Sequence, residues 1–408
     1  MEPKAQGPLA GYRVLELGTT IAGPFCGRLL ADFGADVIKV EPPDGDPVRA
    51  MGKHVGEVSL WAASILRGKK LVALDLKSAE GQEIVREITK GADVVVENFR
   101  PGALEKWGLG YADLAAVRPG IIMVRISGFG QDGPYSSRPG YGVIGEAVGG
   151  LRHIIGDPDR PPARVAVPLT DYITGLYAAL GAVMAIVHRE KTGEGQFIDA
   201  ALFEAAFSFM EPFVPAFEKL GFVPTRAGPN LPGQVPNSLY PTADDGYVHI
   251  AATTQALFKR LIGVMGREDL IADARFATPL ARGRNPEALD PVIAEWTSRH
   301  TAAALEKILI EEADVPASRV YTMADVFDDA HYRARGMLTE VADADLGSVR
   351  LAAPVPRMSE TPGAIRWAGG RVGADTREIL REIGGLTDER IDALAAAGVV
   401  RLADDGPD

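Results

Sequence analysis

The stretch Arg13-Val14-Leu15-Glu16-Leu17-Gly18-Thr19-Thr20-Ile21-Ala22-Gly23-Pro24 decides the fold. Its first five residues, mostly apolar and ending at a glycine, read as a short buried strand. The turn that follows ends on Pro24, which suits a first helical position, and Phe25–Phe33 then carries helical spacing. Asp36–Val40 reads as the next strand. The alternation continues with strand Leu71–Leu76, helix Ala79–Lys90, strand Ala92–Glu97, short helix Ala103–Trp107 and strand Ile121–Ile126. Strands separated by helices predict parallel βαβ units, hence an α/β fold with helices on the faces of a parallel sheet.

Further along, Ser127 to Pro168 is dense in Gly and Pro and reads as a long functional loop region. A long helix is expected over Tyr172–His188, then a turn at Lys191–Gly195, a strand at Gln196–Ala200 and a helix from Leu202 to about Leu220. The prolines and glycines of Pro224–Pro241 mark a domain boundary or a mobile loop. Beyond it come strand Tyr247–Ala252 and helices Gln255–Met265, Asn285–Thr297 and Ala302–Glu312. Pro316 to Met337 reads as a return linker, and the tail holds a strand at Gly347–Leu351 with helices Thr376–Glu382 and Asp388–Ala397. The expected division is a large domain over 1–222, a smaller α/β domain over 223–322, and a return linker and C-terminal part over 323–408.

A length of 408 residues at about 150 per domain fits two or three domains. Lys and Arg number 43 against 55 Asp and Glu, giving a net charge of −12, which argues against a nucleic-acid partner. The apolar run Leu176–Val187 spans about a dozen residues, short of a membrane span, and the stretch Met1 to Pro8 has no apolar targeting core. A cytoplasmic protein is expected. One cysteine, Cys26, cannot form an internal disulfide or a Cys-based metal cluster. The six histidines show no metal-ligand spacing, so no metal is expected. No G-x-x-x-x-G-K-[ST] occurs, which speaks against ATP. Gly128-Phe129-Gly130-Gln131-Asp132-Gly133 has dinucleotide-fingerprint spacing, but Pro134 and Pro139 follow where a helix should open, so NAD is not expected. Cys26 reads as a packing residue rather than a nucleophile.

Asp171 stands where the apolar helix begins. It reads as an N-cap, and the same position suits a nucleophile, because a helix N-terminus holds a carboxylate ionised. One residue can serve both roles.

Taken together, several segments resemble the class III CoA-transferase family, the formyl-CoA and carnitine CoA-transferase type, across essentially the full chain. They are Leu9–Leu17, Ala22-Gly23-Pro24, Gly34–Glu41, Gly45-Asp46-Pro47, Val96–Gly102, Gly128–Pro134 and Lys191–Gln196, in that order. The resemblance implies a Rossmann-like large domain, a smaller domain, two linkers, and a homodimer of interlocked ring-like subunits. It places the family nucleophile on Asp171 and the coenzyme A wall on Asn98, Phe99, Arg100, Lys106, Trp107 and Tyr141. Ile21, Arg49, Gly233 and Gln234 become substrate candidates. The implied reaction moves CoA from an acyl-CoA donor such as succinyl-CoA to a small dicarboxylic acid through an aspartyl-CoA thioester, with neither ATP nor metal. Arg49, Arg164 and Arg226 are candidates for the acceptor's second carboxylate. The same scaffold supports α-methylacyl-CoA racemases, the alternative reading. Those need a histidine where this chain has Tyr141, a poor base at neutral pH.

Overall fold

A computed structural model describes residues 7–403, so most of the polar N-terminal stretch Met1 to Pro8 lies outside the described residues. Six parallel strands form the main sheet: β1 (Arg13–Glu16), β2 (Asp36–Glu41), β3 (Lys69–Leu74), β4 (Val94–Glu97), β5 (Ile122–Ser127) and β6 (Phe197–Ala201). Their order is 3-2-1-4-5-6, and Val400–Arg401 adds an antiparallel edge on β3. This is the doubly wound order, with a switch point between β1 and β4 where successive connections leave on opposite sides.

Side-chain alternation divides the core into two layers. Leu15, Ile38, Val72, Val95 and Met123 face one way and pack with Ile84, Leu104, Leu114, Ile379 and Ile391. Val14, Val37, Val96, Ile122 and Val124 face the other way, against α1 (Ala22–Asp32) and α2 (Leu169–Thr192).

The chain divides into two units. The first comprises Met1–Leu151, Val165–Gly221 and Arg333–Asp408, and the second Arg152–Arg164 and Phe222–Tyr332. The second unit has its own three-stranded antiparallel sheet, with Tyr247–Ala251 central between Asn237–Pro241 and Ala317–Arg319. Its core includes Tyr240, Val248, Phe258, Leu289 and Leu309.

Several local expectations need correction. The long helix is α2, 24 residues from Leu169 to Thr192, rather than Tyr172–His188. Its last turn is charged and solvated, and it continues until Gly193 adopts φ +79°. Pro168 holds the N-cap position, so Asp171 is the third helical residue and not the cap. By length and composition alone α2 could cross a membrane, but Ala178, Ala182 and Ala185 are packed in the sheet layer. Helix α1 starts at Ala22, which puts Pro24 third and Cys26 fifth. The Ser127–Pro168 region contains helices Gly142–Val148 and Leu151–Ile154. The expected helix Ala302–Glu312 is α-helical only to Glu306 and π-helical from Lys307. The tail strand pairs with Leu338–Asp343, a partner the sequence did not suggest.

Beneath the β1–α1 turn lies a fully buried ion network. Lys69 Nζ meets Glu16 Oε2 at 2.7 Å and donates to the Pro24 carbonyl at 2.7 Å. Lys39 Nζ meets Asp46 Oδ2 at 2.9 Å and Glu16 Oε1 at 3.5 Å, and donates to the Gly18 carbonyl. The two ammonium groups therefore hold the two ends of the Gly18–Pro24 turn. Asp46 Oδ1 accepts the Thr20 N–H at 3.0 Å, fixing a threonine whose φ of +70° is unusual for a residue with a Cβ. Burial pulls the Lys39 ammonium pKa down, but Asp46 and Glu16 outweigh it and leave the pKa raised. For Lys69 burial wins over Glu16, and its pKa is lowered. Gly27 belongs to the same design, since a Cβ there would sit 1.8 Å from Glu16 Oε2.

Two stability predictions follow from this packing. Lys69→Met leaves Glu16 short of a partner in a dry site and should cost about 3–5 kcal/mol in urea unfolding. A loss below about 1 kcal/mol would mean that the network is not what holds the turn. Gly175 lies where α2 crosses α1, and a Cβ there would come within 2.8 Å of the Ala22 carbonyl and 2.9 Å of the Phe25 ring. Gly175→Ala must push the helices apart, and its unfolding midpoint should fall by the equivalent of about 1–3 kcal/mol. An unchanged midpoint would show that the crossing has slack.

Candidate active site

The loops that leave β1, β4 and β5 converge at the carboxyl ends of the strands, around the switch point. They enclose a cavity of about 170 Å³. The β1 loop contributes Thr19, Thr20 and Ile21, and the β4 loop contributes Asn98, Phe99 and Arg100. Gly128, Arg138, Tyr141 and Asp171 complete the wall. Five of the expected site residues thus meet Asp171 in one cavity: Ile21, Asn98, Phe99, Arg100 and Tyr141.

Asn98 ties the two crossing loops together. Its Oδ1 accepts the Thr19 N–H at 2.7 Å, and its Nδ2 donates to the Thr19 carbonyl at 2.9 Å. Gly18 and Gly23 are glycines for the same reason, because a Cβ on either would press on the Asn98 side chain. One residue earlier, Glu97 is buried, accepts Arg125 Nε at 3.0 Å and accepts the Phe99 N–H at 2.8 Å. Burial pushes its pKa up to about 7 against the opposing pull of Arg125.

Asp171 is half-buried in the first turn of α2. Its Oδ2 lies 1.8 Å from where a Cβ on Gly142 would stand, so the absence of a side chain at 142 makes the carboxylate's seat. Tyr172, next in sequence, anchors this turn. Its hydroxyl accepts the Trp61 indole N–H at 3.1 Å, and its ring meets Phe25 edge-on at 4.7 Å. Cys26 is wholly buried on α1, and burial pushes its thiol far above the usual range, which suits a packing role.

A second cavity of about 480 Å³ adjoins, with Thr19 and Phe99 common to both. It lies beyond the ends of β1 to β4 and is walled by Pro42, Asp44, Leu76, Lys77 and Trp107. The Phe99 and Trp107 rings meet edge to face at 5.4 Å. Lys106 is exposed on the short helix before Trp107 and lines neither cavity. Lys77 escaped sequence reading because it looks like any solvated residue ahead of a helix. Its signal was its position just past the end of β3.

The remaining expected residues line neither of these cavities. Arg49 donates to both Glu41 carboxylate oxygens at 2.8 and 2.9 Å and to the Gly370 carbonyl at 2.8 Å. It lines a separate cavity with Arg371 and Arg401. Gly233 and Gln234 are exposed in the second unit, as part of a turn in which the Gln234 N–H reaches the Leu231 carbonyl. Arg164 and Arg226 also belong to that unit, and Arg226 donates to the Asp157 carbonyl at 3.0 Å. The Gly128–Gly133 segment opens no helix. It turns back, with the Gly130 N–H on Ser127 Oγ and the Gln131 N–H on Asp199 Oδ2. Among the described residues no group of three or more His, Cys, Asp or Glu is placed to hold a metal ion.

Comparison with known proteins gives this geometry a context. The sequence pattern of CoA-transferase family III matches residues 9–376. The chain is 45% identical over 395 residues to the succinyl-CoA–D-citramalate CoA-transferase of Chloroflexus aurantiacus, covering 96% of this chain and 98% of that protein. It is 40% identical over 399 residues to the succinyl-CoA–L-malate CoA-transferase beta subunit of the same organism, with coverage of 96% and 98%. Among solved structures, a CAIB/BAIF family protein from Brucella suis matches with a TM-score of 0.83 at 35% identity, over 93% of this chain and 100% of that one. The parallel sheet, the cavity at its switch point and these full-length matches agree: the chain belongs to CoA-transferase family III and is a CoA-transferase.

Proposed function

We propose that this enzyme moves CoA from succinyl-CoA, or a similar donor, to a small dicarboxylic acid, with Asp171 as the covalent carrier. The observation that carries this reading is the Asp171 carboxylate in a small cavity that adjoins a larger one at the strand ends. The acids named for the related enzymes, citramalate and malate, favour a dicarboxylate acceptor.

The chemistry needs one ionised carboxylate. An Asp171 oxygen attacks the thioester carbonyl, the C–S bond breaks, and a mixed anhydride and the CoA thiolate result. The thiolate attacks the aspartyl carbonyl and releases the donor acid as its carboxylate, leaving an aspartyl-CoA thioester. The acceptor carboxylate attacks that carbonyl, expelling the thiolate and forming a second anhydride. Attack of the thiolate on the acceptor's carbonyl gives the new acyl-CoA and frees Asp171. One thioester replaces another, so no external energy source enters the balance.

The larger cavity is the proposed seat of the coenzyme's nucleotide, with Phe99 and Trp107 supplying aromatic surface and Lys77 and Arg100 supplying charge for phosphates. Asn98 would act by holding the β1 loop in place, and Tyr141 by bordering the acyl group. Lys106, Gly233 and Gln234 keep their proposed roles on resemblance alone. Arg49 drops out of the acyl site in this reading, because Glu41 already neutralises it. A homodimer in a cytoplasmic setting completes the proposal. In its support, Leu176, Leu180, Met184 and Val187 expose one apolar side of α2 beside an apolar groove that includes Phe33 and Met358.

Incubation with succinyl-CoA should leave a mass adduct on the Asp171 peptide. Asp171→Asn should abolish transfer while CoA still binds, and normal turnover by that variant would refute the role of Asp171. Lys77→Ala should weaken CoA binding several-fold, with the gap closing as salt rises, because an exposed charge contact is screened. Unchanged affinity at low salt would move the nucleotide out of the larger cavity.

A further inference from the structure

A dicarboxylate carries a second charge that must be held away from the reacting end. Arg138 has the chemistry for it. Among the described residues it makes no ion pair, and its guanidinium stacks on the Tyr135 ring at 3.5 Å to the centroid. Stacking occupies the flat face and leaves the edge N–H groups free, the geometry that meets a carboxylate in a bidentate pair.

Its placement is built rather than incidental. Gly128 and Gly140 press together so closely that a Cβ on Gly128 would stand 2.6 Å from the Gly140 Cα, which pinches shut the base of the loop between them. Inside the loop the Ser136 N–H reaches the Gly133 carbonyl and the Arg138 N–H reaches the Tyr135 carbonyl. Tyr135 itself packs edge-on against Phe129 at 5.9 Å. A pinched loop with an internal aromatic pair thus delivers Arg138 to the wall of the cavity that holds Asp171. Arg100, the other arginine of that wall, sits on the loop whose Phe99 faces both cavities, which suits the coenzyme instead.

We infer that Arg138 binds the distal carboxylate of the acyl group while Asp171 engages the thioester carbonyl, and that it selects dicarboxylic over monocarboxylic substrates. This inference rests on the proposed CoA transfer through Asp171. It also assigns a purpose to the Gly128–Gly133 segment, whose glycines serve loop closure.

Succinyl-CoA and butyryl-CoA make the test, since they differ by a carboxylate in place of a terminal methyl. Both, together with free CoA, are titrated against the full-length protein carrying Asp171→Asn, where no acyl exchange competes. Adding Arg138→Met should weaken succinyl-CoA roughly 10- to 100-fold and leave butyryl-CoA and CoA within about twofold, near the noise of one missing weak contact. Arg138→Lys should recover part of the loss, because charge survives without the fork. Equal weakening of all three ligands would overturn the inference and make Arg138 a coenzyme or loop residue, as would no change in any. Failure of the underlying reading is visible separately, as transfer that survives Asp171→Asn or parent enzyme that transfers no CoA.

Discussion

Two lysines without solvent hold up the active-site floor. Lys39 and Lys69 reach the carbonyls at opposite ends of the Gly18–Pro24 turn while their charges are balanced by Glu16 and Asp46. The turn cannot be held by ordinary sheet bonds, because it must leave β1 and reverse at once into α1. The Gly18 carbonyl lies past the end of β1, and without Lys39 it would be short of a partner, at a cost comparable to a lost hydrogen bond. Once the turn is fixed, Thr19 can be tied to Asn98, and the β4 loop inherits the same rigidity. Without that support the cavity would have no defined wall on two of its sides.

The carboxylate arrives from another direction. It stands on α2, which packs across α1 where Gly175 has no side chain to keep the helices apart. The bare Gly142 leaves room for the Asp171 carboxylate, and the helical turn that carries it is anchored through the next residue, Tyr172, by Trp61 and Phe25. The site is therefore a meeting of two parts braced in different ways: a turn held by charge and a helix held by close packing against α1. Precise placement of reacting groups comes from rigid elements rather than from loops alone.

Strand and helix alternation was legible from Arg13 to Ile126 because the strands are buried on both faces and a helix such as Ala79–Thr89 has one buried side, which are patterns of single segments, whereas the helices Leu60–Ile65 and Tyr111–Val117 were not read. Asp171 was legible as the start of an apolar helix, and its proposed role came from the family resemblance. Arg138 and Lys77 were not legible. Each looks like an ordinary surface cation, and its neighbours in space come from elsewhere in the fold. The ion network was invisible for a related reason: Glu16 and Lys39 lie inside strand patterns where alternation assigns them only a side, and Lys69 falls ahead of the expected strand Leu71–Leu76, although β3 begins at it. The extent of α2 was misjudged at both ends, because its first turn follows a proline and its last is charged.

The chain's one cysteine has a bearing on how faithfully acyl groups are handled. Thioesters exchange readily with any accessible thiolate, and a second sulfur near the site would drain acyl groups onto the wrong carrier. Cys26 is packed on α1 against the sheet, at 0% exposure, with its proton held firmly by burial. The coenzyme therefore brings the sole exchangeable sulfur to the reaction. Transfer leaves the number of free thiols unchanged, so any thiol that accumulates in a mixture of this enzyme with its substrates is coenzyme lost to hydrolysis, and a thiol-selective dye reads that leak without a background from the protein.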